Sequence, residues 1–252
     1  MDSPVLLATL FAATACLYAM VGFGGGSMYL ALLALVGTAY TAIPQIALLC
    51  NIVVVIGGCY HLAQAGELRA VRSLWPLFLA SVPAAFLGGR LPIGKTVFSI
   101  LLGIALAVAG LRLLLAGRSD PATRPSRTIP RGLLALLGVG IGLYAGLIGI
   151  GGGIFLAPLL YLIGWGRPRR IAAAASGFIL INSLAGLAGQ LAKTGWGVEP
   201  IQLAGLLLAV FLGGQCGSRL LAYRMPSHRL QQCTAVFLIV VAGKLLWRAL
   251  AV

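Results

Sequence analysis

The chain has 252 residues, of which 60% are hydrophobic and 9% charged, with a formal net charge of +14 and a mean hydropathy of +1.05. Soluble domains carry about 25% charged residues because their surfaces face water, so this composition excludes an ordinary soluble domain. No Asp, Glu, Lys or Arg lies between Asp2 and Glu67, a run that would form roughly 96 Å of helix, enough for about three bilayer crossings. The sequence therefore predicts an all-α polytopic membrane protein.

Long and short apolar stretches follow one another along the chain. The stretches long enough to cross a bilayer are residues 4–22, 41–60, 74–90, 95–116, 132–149, 171–191, 200–218 and 229–250. Two shorter stretches, 26–36 and 153–163, contain 11 residues each. We interpret the first stretch as an uncleaved helix, because Asp2 precedes it and more apolar chain follows directly.

One polar segment divides the chain near its middle. Residues 117–131 carry Pro, Ser and four Arg and are predicted to form a basic cytoplasmic linker. We predict an N-terminal half at 1–116 and a C-terminal half at 132–252 within a single membrane domain. Each half is predicted to contain four long transmembrane helices and one short broken helix after a glycine-rich turn.

The two halves repeat one pattern. The glycine cluster at 22–26 recurs 127 residues later at 149–153, and Asn51 recurs 131 residues later as Asn182. This spacing predicts a duplication. Gly138, Gly142 and Gly146 form a separate ladder at four-residue intervals, which predicts close helix packing through small residues.

The distribution of cations predicts how the halves are oriented. With the linker in the cytoplasm and five passes per half, 13 Lys and Arg residues lie on the linker side and 5 on the other, as the positive-inside rule requires. Because this explains the positive charge, no nucleic-acid partner is expected. Residues 37–40 contain no cation and the equivalent loop 166–170 contains three, which favours inverted repeats. Parallel repeats follow instead if the short segments do not cross the membrane.

The glycine clusters predict a substrate site. Backbone amides survive unpaired inside a membrane only within protein or beside a wet cavity, and the first amides of a helix lack intrahelical acceptors and carry partial positive charge. Two such helix starts near the midplane would bind an anion; the alternative is a purely structural bend. The predicted substrate-binding residues are Gly24, Gly25, Gly26, Ser27, Asn51, Gly151, Gly152, Gly153, Ile154 and Asn182.

Other polar residues have two interpretations each. Asn51 and Asn182 would join helices or contact substrate, and four further side chains are predicted to line the same cavity: Gln45, Ser176, Ser183 and Gln190. Arg90 and Arg219 would snorkel to the interface or guide anions into an entrance, and His61 would be interfacial or linked to protons.

The four acidic residues, Asp2, Glu67, Asp120 and Glu199, all fall in a terminus or in predicted loops. Cation and metal sites in membranes use carboxylates or histidine clusters, so no metal or cofactor is expected and the substrate is predicted to be negative or dipolar. No HExxH or GxSxG motif is present, so no enzyme activity is predicted.

Two glycine turns in paired halves, the second continuing as Gly-Gly-Gly-Ile-Phe-Leu-Ala-Pro at 151–158, resemble the TauE/SafE family of sulfite exporters. The resemblance covers nearly the whole chain and includes the Gly-Gly-x-Cys-Gly-Ser-Arg segment at 213–219. The first half departs from the pattern, because its short segment continues as Tyr-Leu-Ala at 29–31 without the proline.

The resemblance implies secondary export of a small sulfur-containing oxyanion, such as sulfite or an organosulfonate, across the cytoplasmic (inner) membrane. The expected partners are this anion and the lipid bilayer, with a homo-oligomer left open. An anion channel is one alternative. A membrane redox protein is another, although the five cysteines include no CxxC pair.

Overall fold

The computed structural model describes residues 4–20, 22–64, 66, 71–115, 129–163, 165–166, 168–220 and 228–250. Within these residues the secondary structure is helical and contains no strand, which confirms the predicted all-α class. The α-helices are α1 (Pro4–Ala19), α2 (Gly26–Val36), α3 (Ala42–Gln64), α4 (Trp75–Arg90), α5 (Lys95–Leu115), α6 (Arg131–Ile148), α7 (Gly153–Leu162), α8 (Pro168–Thr194), α9 (Pro200–Leu220) and α10 (His228–Leu250). A 3-10 turn, Arg72–Leu74, leads into α4.

Each predicted apolar stretch corresponds to one helix. The short stretches are the separate helices α2 and α7, of 11 and 10 residues. The largest boundary difference is at the end of α3, which continues to Gln64 where the apolar run ends at residue 60. Most of the predicted linker, residues 117–128, lies outside the described residues, as do Asp2, Glu67 and Asp120.

Five helices are long and apolar enough to cross a bilayer. The corresponding segments are Ala42–Tyr60, Lys95–Arg112, Arg131–Ile148, Arg169–Thr194 and Pro200–Arg219. α1 and α4 have 16 residues each, fewer than the roughly 20 that span a bilayer without tilt or thinning. The chain is thus a multi-pass helical membrane protein, in which five of the eight predicted long stretches are both long and apolar enough to span a bilayer within the described residues.

α3 and α8 form the centre of the bundle. Of their membrane-length segments 72% and 61% are buried, against 39%, 33% and 33% for α5, α6 and α9. Large apolar side chains point outward from the surrounding helices, among them Leu79, Leu136 and Val240, which are all more than 60% exposed. An apolar exterior of this kind suits contact with lipid.

Helices of the first half pack on helices of the second. α4 packs on α6, α1 on α9, α5 on α10 and α3 on α8. Gly138, Gly142 and Gly146 of α6 lie directly against backbone carbonyls of α4, where an added methyl group would collide with them. The predicted packing role of this glycine ladder is therefore confirmed. Gly213 and Gly217 of α9 contact carbonyls of α1 in the same way.

Candidate functional site

The first glycine turn, residues 22–26, connects α1 to α2. Gly22 and Gly25 have φ angles of +79° and +85°, a left-handed conformation that glycine adopts at little cost. The hydroxyl of Ser176 on α8 donates to the Gly22 carbonyl at 2.6 Å. This bond fastens the first glycine turn to the centre of the bundle.

The second glycine turn, residues 149–153, connects α6 to α7. Three of its glycines, Gly149, Gly151 and Gly152, have φ between +78° and +82°. A Cβ on Gly149 would lie 2.6 Å from the Cα of Pro44, so the turn packs tightly against the first residues of α3. Each glycine turn is thus held by a central helix of the other half.

Asn51 on α3 lies between the two glycine turns. Its Nδ2 donates to the Ile150 carbonyl at 3.3 Å, and an added Cβ would lie 2.5 Å from it at Gly26 and 2.9 Å at Gly151. A Cβ at Gly24 would collide with the Asn51 Oδ1. The structure therefore brings Asn51 together with predicted residues from both halves, and only glycine leaves room for its amide.

The backbone amides at the end of each glycine turn and at the start of the helix that follows lack acceptors among the described residues. The Gly25 carbonyl accepts from Met28 at 3.0 Å, and the Gly152 carbonyl accepts from Phe155 at 3.1 Å. The amides of residues 24–27 and 151–154 donate to no group in the described part of the chain. Backbone donors unpaired inside protein are rare and need an explanation.

Three buried side-chain atoms near the turns also lack a partner among the described residues. They are the Oδ1 of Asn51, the Oγ of Ser183 and the Oη of Tyr29. An added Cβ at Gly151 would lie 2.9 Å from the Ser183 Oγ, and one at Gly25 would lie 3.0 Å from the Tyr29 Oη. Two unpaired hydroxyls and one unpaired amide oxygen therefore lie beside the turns. Glu199, the one acidic residue in the part of the chain that the structure describes, is exposed.

The surroundings of the two turns differ in polarity. Beside the first turn the Tyr18 hydroxyl lies 3.4 Å from the Ser27 hydroxyl, and Ser27 is buried. Beside the second turn, added Cβ atoms at Gly152 and Gly153 would meet Phe178 and Ile179. The predicted residue Ile154 is partly buried and packs on the apolar core.

Asn182 does not share the surroundings of Asn51. Its Nδ2 donates to the Phe178 carbonyl at 2.9 Å and to the Ser81 hydroxyl on α4 at 3.1 Å. The next residue, Ser183, is the one that faces the second turn. From the sequence, Ser183 is predicted only as one of four side chains that line the cavity. Its position next to Asn182 is the sequence feature that could have identified it as a residue beside the second turn.

The remaining predicted residues lie at helix ends. Arg90 ends α4 and Arg219 lies near the end of α9, and both are exposed. His61 is in the last turns of α3, and its side chain lies outside the described residues. Glu199 is exposed between α8 and α9.

Within the described residues, no group of three His, Cys, Asp or Glu residues could hold a metal ion. The cysteines for which a state is described, Cys16, Cys50, Cys59 and Cys216, are free thiols. The candidate site therefore consists of uncharged donors, which come from peptide groups, amides and hydroxyls.

Membrane-length helices around broken helices whose amides face the interior are typical of a multi-pass membrane transporter. The sequence matches the model of the family described as Sulfite exporter TauE/SafE over residues 6–245, and the chain belongs to this family. It is 33% identical, over 98% of its length and 100% of the relative's, to the "Probable membrane transporter protein y4hK" of Sinorhizobium fredii. No solved structure matches the chain.

Proposed function

We propose that the protein is a secondary transporter that exports a small sulfur-containing oxyanion, of the sulfite or organosulfonate type, across the cytoplasmic membrane. The observation that carries the proposal is the set of unpaired amides at residues 24–27 and 151–154, which meet around Asn51. The description of the family as sulfite exporters supports the choice of a sulfur oxyanion.

An anion is the substrate that suits these donors. Peptide N–H groups at helix starts carry partial positive charge and bind oxyanions without a cationic side chain. Beside them, Ser183 and Tyr29 have buried hydroxyls without a partner in the described residues, and the Asn51 amide has a second N–H hydrogen besides the one it donates to Ile150. The unpaired Oδ1 of Asn51 is an acceptor, so it suits an oxyanion that carries a proton. Metal-cation sites usually include carboxylates, although backbone carbonyls also bind cations, so this donor set disfavours a cation.

The depth of the site supports transport. Asn51 lies nine residues after the first residue of α3, roughly 14 Å along a helix of about 34 Å. Ser183 lies 15 residues after the first residue of α8, roughly 22 Å along about 40 Å. Both positions fall in the middle third of a central helix, where secondary transporters bind their substrates.

The packing of the helices supports a duplicated architecture. α1 packs on α9 as α4 packs on α6, and α3 and α8 pair with each other. These helix pairs, each formed between the two halves, are expected for two related repeats. The proposed repeats are residues 1–116 and 132–252, joined by the linker 117–131. Together with the unequal cation content of equivalent loops, this packing supports inverted repeats with four long helices and one short helix each.

Burial of the donors favours alternating access over an anion channel. Residues 24–27 and 151–153 are buried, so substrate reaches their amides only when helices move. A rocking motion of one half against the other would separate the Ser176–Gly22 and Pro44–Gly149 contacts in turn. A channel would require a continuous open path through the same residues.

The proposal is tested by the flux of radiolabelled sulfite in proteoliposomes that contain the purified protein. We expect saturable sulfite flux that unlabelled sulfite and small sulfonates inhibit. Absence of flux above empty vesicles for several sulfur oxyanions would reject the proposal. Large single-channel currents without saturation would favour the channel.

A further inference from the structure

We propose that a second oxyanion site, separate from the glycine turns, lies at the end of the bundle where α3 and α5 begin and α8 ends. A cavity of about 260 Å³ is present there. Its wall includes Tyr40, Thr41, Pro44, Leu147, Gln190 and Lys193. This inference rests on the proposed function, because it assigns the cavity to the transported anion.

Lys193 supplies the charge of this outer cavity. It is partly buried near the end of α8, and its Nζ donates to the Leu91 carbonyl at 3.4 Å. No Asp or Glu lies in the cavity wall. Among the described residues, the cavity wall therefore contains a cationic side chain and no acidic one.

Gln190 supplies a second observation that points to a ligand. It is fully buried, and its Nε2 donates to the carbonyls of Gly146 at 3.0 Å and Leu147 at 3.4 Å. This orientation leaves its Oε1 without a donor in the described residues. A buried acceptor of this kind is normally met by a donor from water or a ligand.

A cation beside an unpaired acceptor selects a particular chemistry. Lys193 attracts the negative charge of an oxyanion, whereas the Gln190 Oε1 accepts a hydrogen bond from the same ligand. The fitting class is a small oxyanion that also carries a proton, such as the hydrogen sulfite form of sulfite. A fully deprotonated anion would meet the Gln190 oxygen as a repulsive partner.

The cavity lies directly beside the second glycine turn. Pro44 is in its wall, and the Cα of Pro44 is also the atom 2.6 Å from a Cβ added to Gly149. Pro44 therefore contacts both the outer cavity and the second glycine turn. On the predicted topology this end of the bundle faces away from the cytoplasm, so the cavity is the place through which exported anion leaves.

The test is isothermal titration of sulfite into the purified full-length protein in detergent. Lys193→Gln is expected to weaken binding about tenfold at the outer cavity, and Lys193→Arg to stay within about threefold of wild type. Lys95→Gln is the matched control, since Lys95 is exposed at the start of α5 at the same end of the bundle and is not in the cavity wall. It is expected to bind as wild type does.

Binding to Lys193→Gln that equals wild type would overturn the inference, and so would an equal loss in Lys95→Gln, which would indicate a general surface-charge effect. Failure of the proposed function looks different. In that case wild-type vesicles show no sulfite flux, while titration still shows binding that Lys193→Gln removes. Gly26→Ala, which blocks the central site, is expected to abolish flux and to retain the Lys193-dependent binding.

Discussion

The two glycine turns have nearly the same sequence but different neighbours. The hydroxyls of Tyr18, Ser27 and Tyr29 lie around the first turn, whereas Phe178 and Ile179 pack on the second. The residues that correspond to Ser27 and Tyr29 in the second half are Ile154 and Leu156. The duplicated sequence thus gives two helix starts with unpaired amides. The first turn is the more polar of the two, because its neighbouring side chains carry hydroxyl groups.

This difference suggests separate roles. We expect the first turn to provide most of the contacts that discriminate oxyanions, because hydroxyl donors add to its amides. The second turn, with three left-handed glycines and apolar packing, is suited to bend while α6 stays packed on α4 and α7 on α8. The following predictions test that comparison.

The largest effect is expected from Gly26→Ala. The added methyl group would lie 2.5 Å from the Asn51 Nδ2 and 2.8 Å from the Ile150 carbonyl oxygen, so it fills the space between the turns. Sulfite flux in proteoliposomes should fall at least about 100-fold, which corresponds to about 2.8 kcal/mol. Gly140→Ala is the matched control, because nothing lies within 4 Å of a Cβ there; equal losses in both variants would contradict the account.

Asn51→Leu is expected to reduce flux about tenfold, since it removes a buried amide that bridges both turns at similar side-chain volume. The comparison is Asn182→Leu, whose amide donates to the Ser81 hydroxyl and the Phe178 carbonyl and not to a residue of either turn. That variant should lower the free energy of unfolding by about 1 kcal/mol and leave the dependence of flux on sulfite concentration unchanged. A larger loss of transport in Asn182→Leu would reverse the assignment of the two asparagines.

Tyr29→Phe separates binding from stability. The Tyr29 hydroxyl is fully buried and unpaired in the described residues, so its removal should leave the melting temperature unchanged or raise it. The sulfite concentration for half-maximal flux should rise about threefold, because an oxyanion donor is lost. If the melting temperature falls and half-saturation is unchanged, the hydroxyl serves the fold and not the substrate.

The smallest effect is expected when all five cysteines are replaced by alanine. The cysteines whose state is described are free thiols without a metal cluster, and packing is the usual role of such residues. Flux per folded protein should stay within about twofold of wild type. Complete loss of flux in correctly folded protein would revive the redox alternative.

Much of the fold could be predicted because a membrane restricts the possible structures. Apolar runs and glycine clusters fix the helices, and the boundaries of α2 agree with the sequence to the residue. The ends of α3 and α8 were less predictable, since both helices continue into polar residues beyond their apolar runs. Packing against neighbouring helices supports those extra turns, and a single sequence does not reveal it.

The candidate site was predictable in its backbone and less so in its side chains. Asn51 was identified because it repeats and is polar at depth. The same symmetry equated it with Asn182, yet one residue along a helix turns a side chain by about 100°, and Ser183 is the residue that faces the second turn. The place of Lys193 in a cavity wall could not be predicted from the sequence. The cavity forms only because the loop that contains Pro92 and Ile93 packs beside Lys193 in the folded protein.

The most direct test of the central claim is a structure of the protein with selenite, an analogue of sulfite whose selenium atom is located by its anomalous scattering. We predict a selenium peak between the glycine turns, with its oxygens within about 3 Å of amide nitrogens in 24–27 or 151–154. A peak in the outer cavity is also expected. Selenium found only there, with no density at the turn amides in any conformation that transports, would contradict the account.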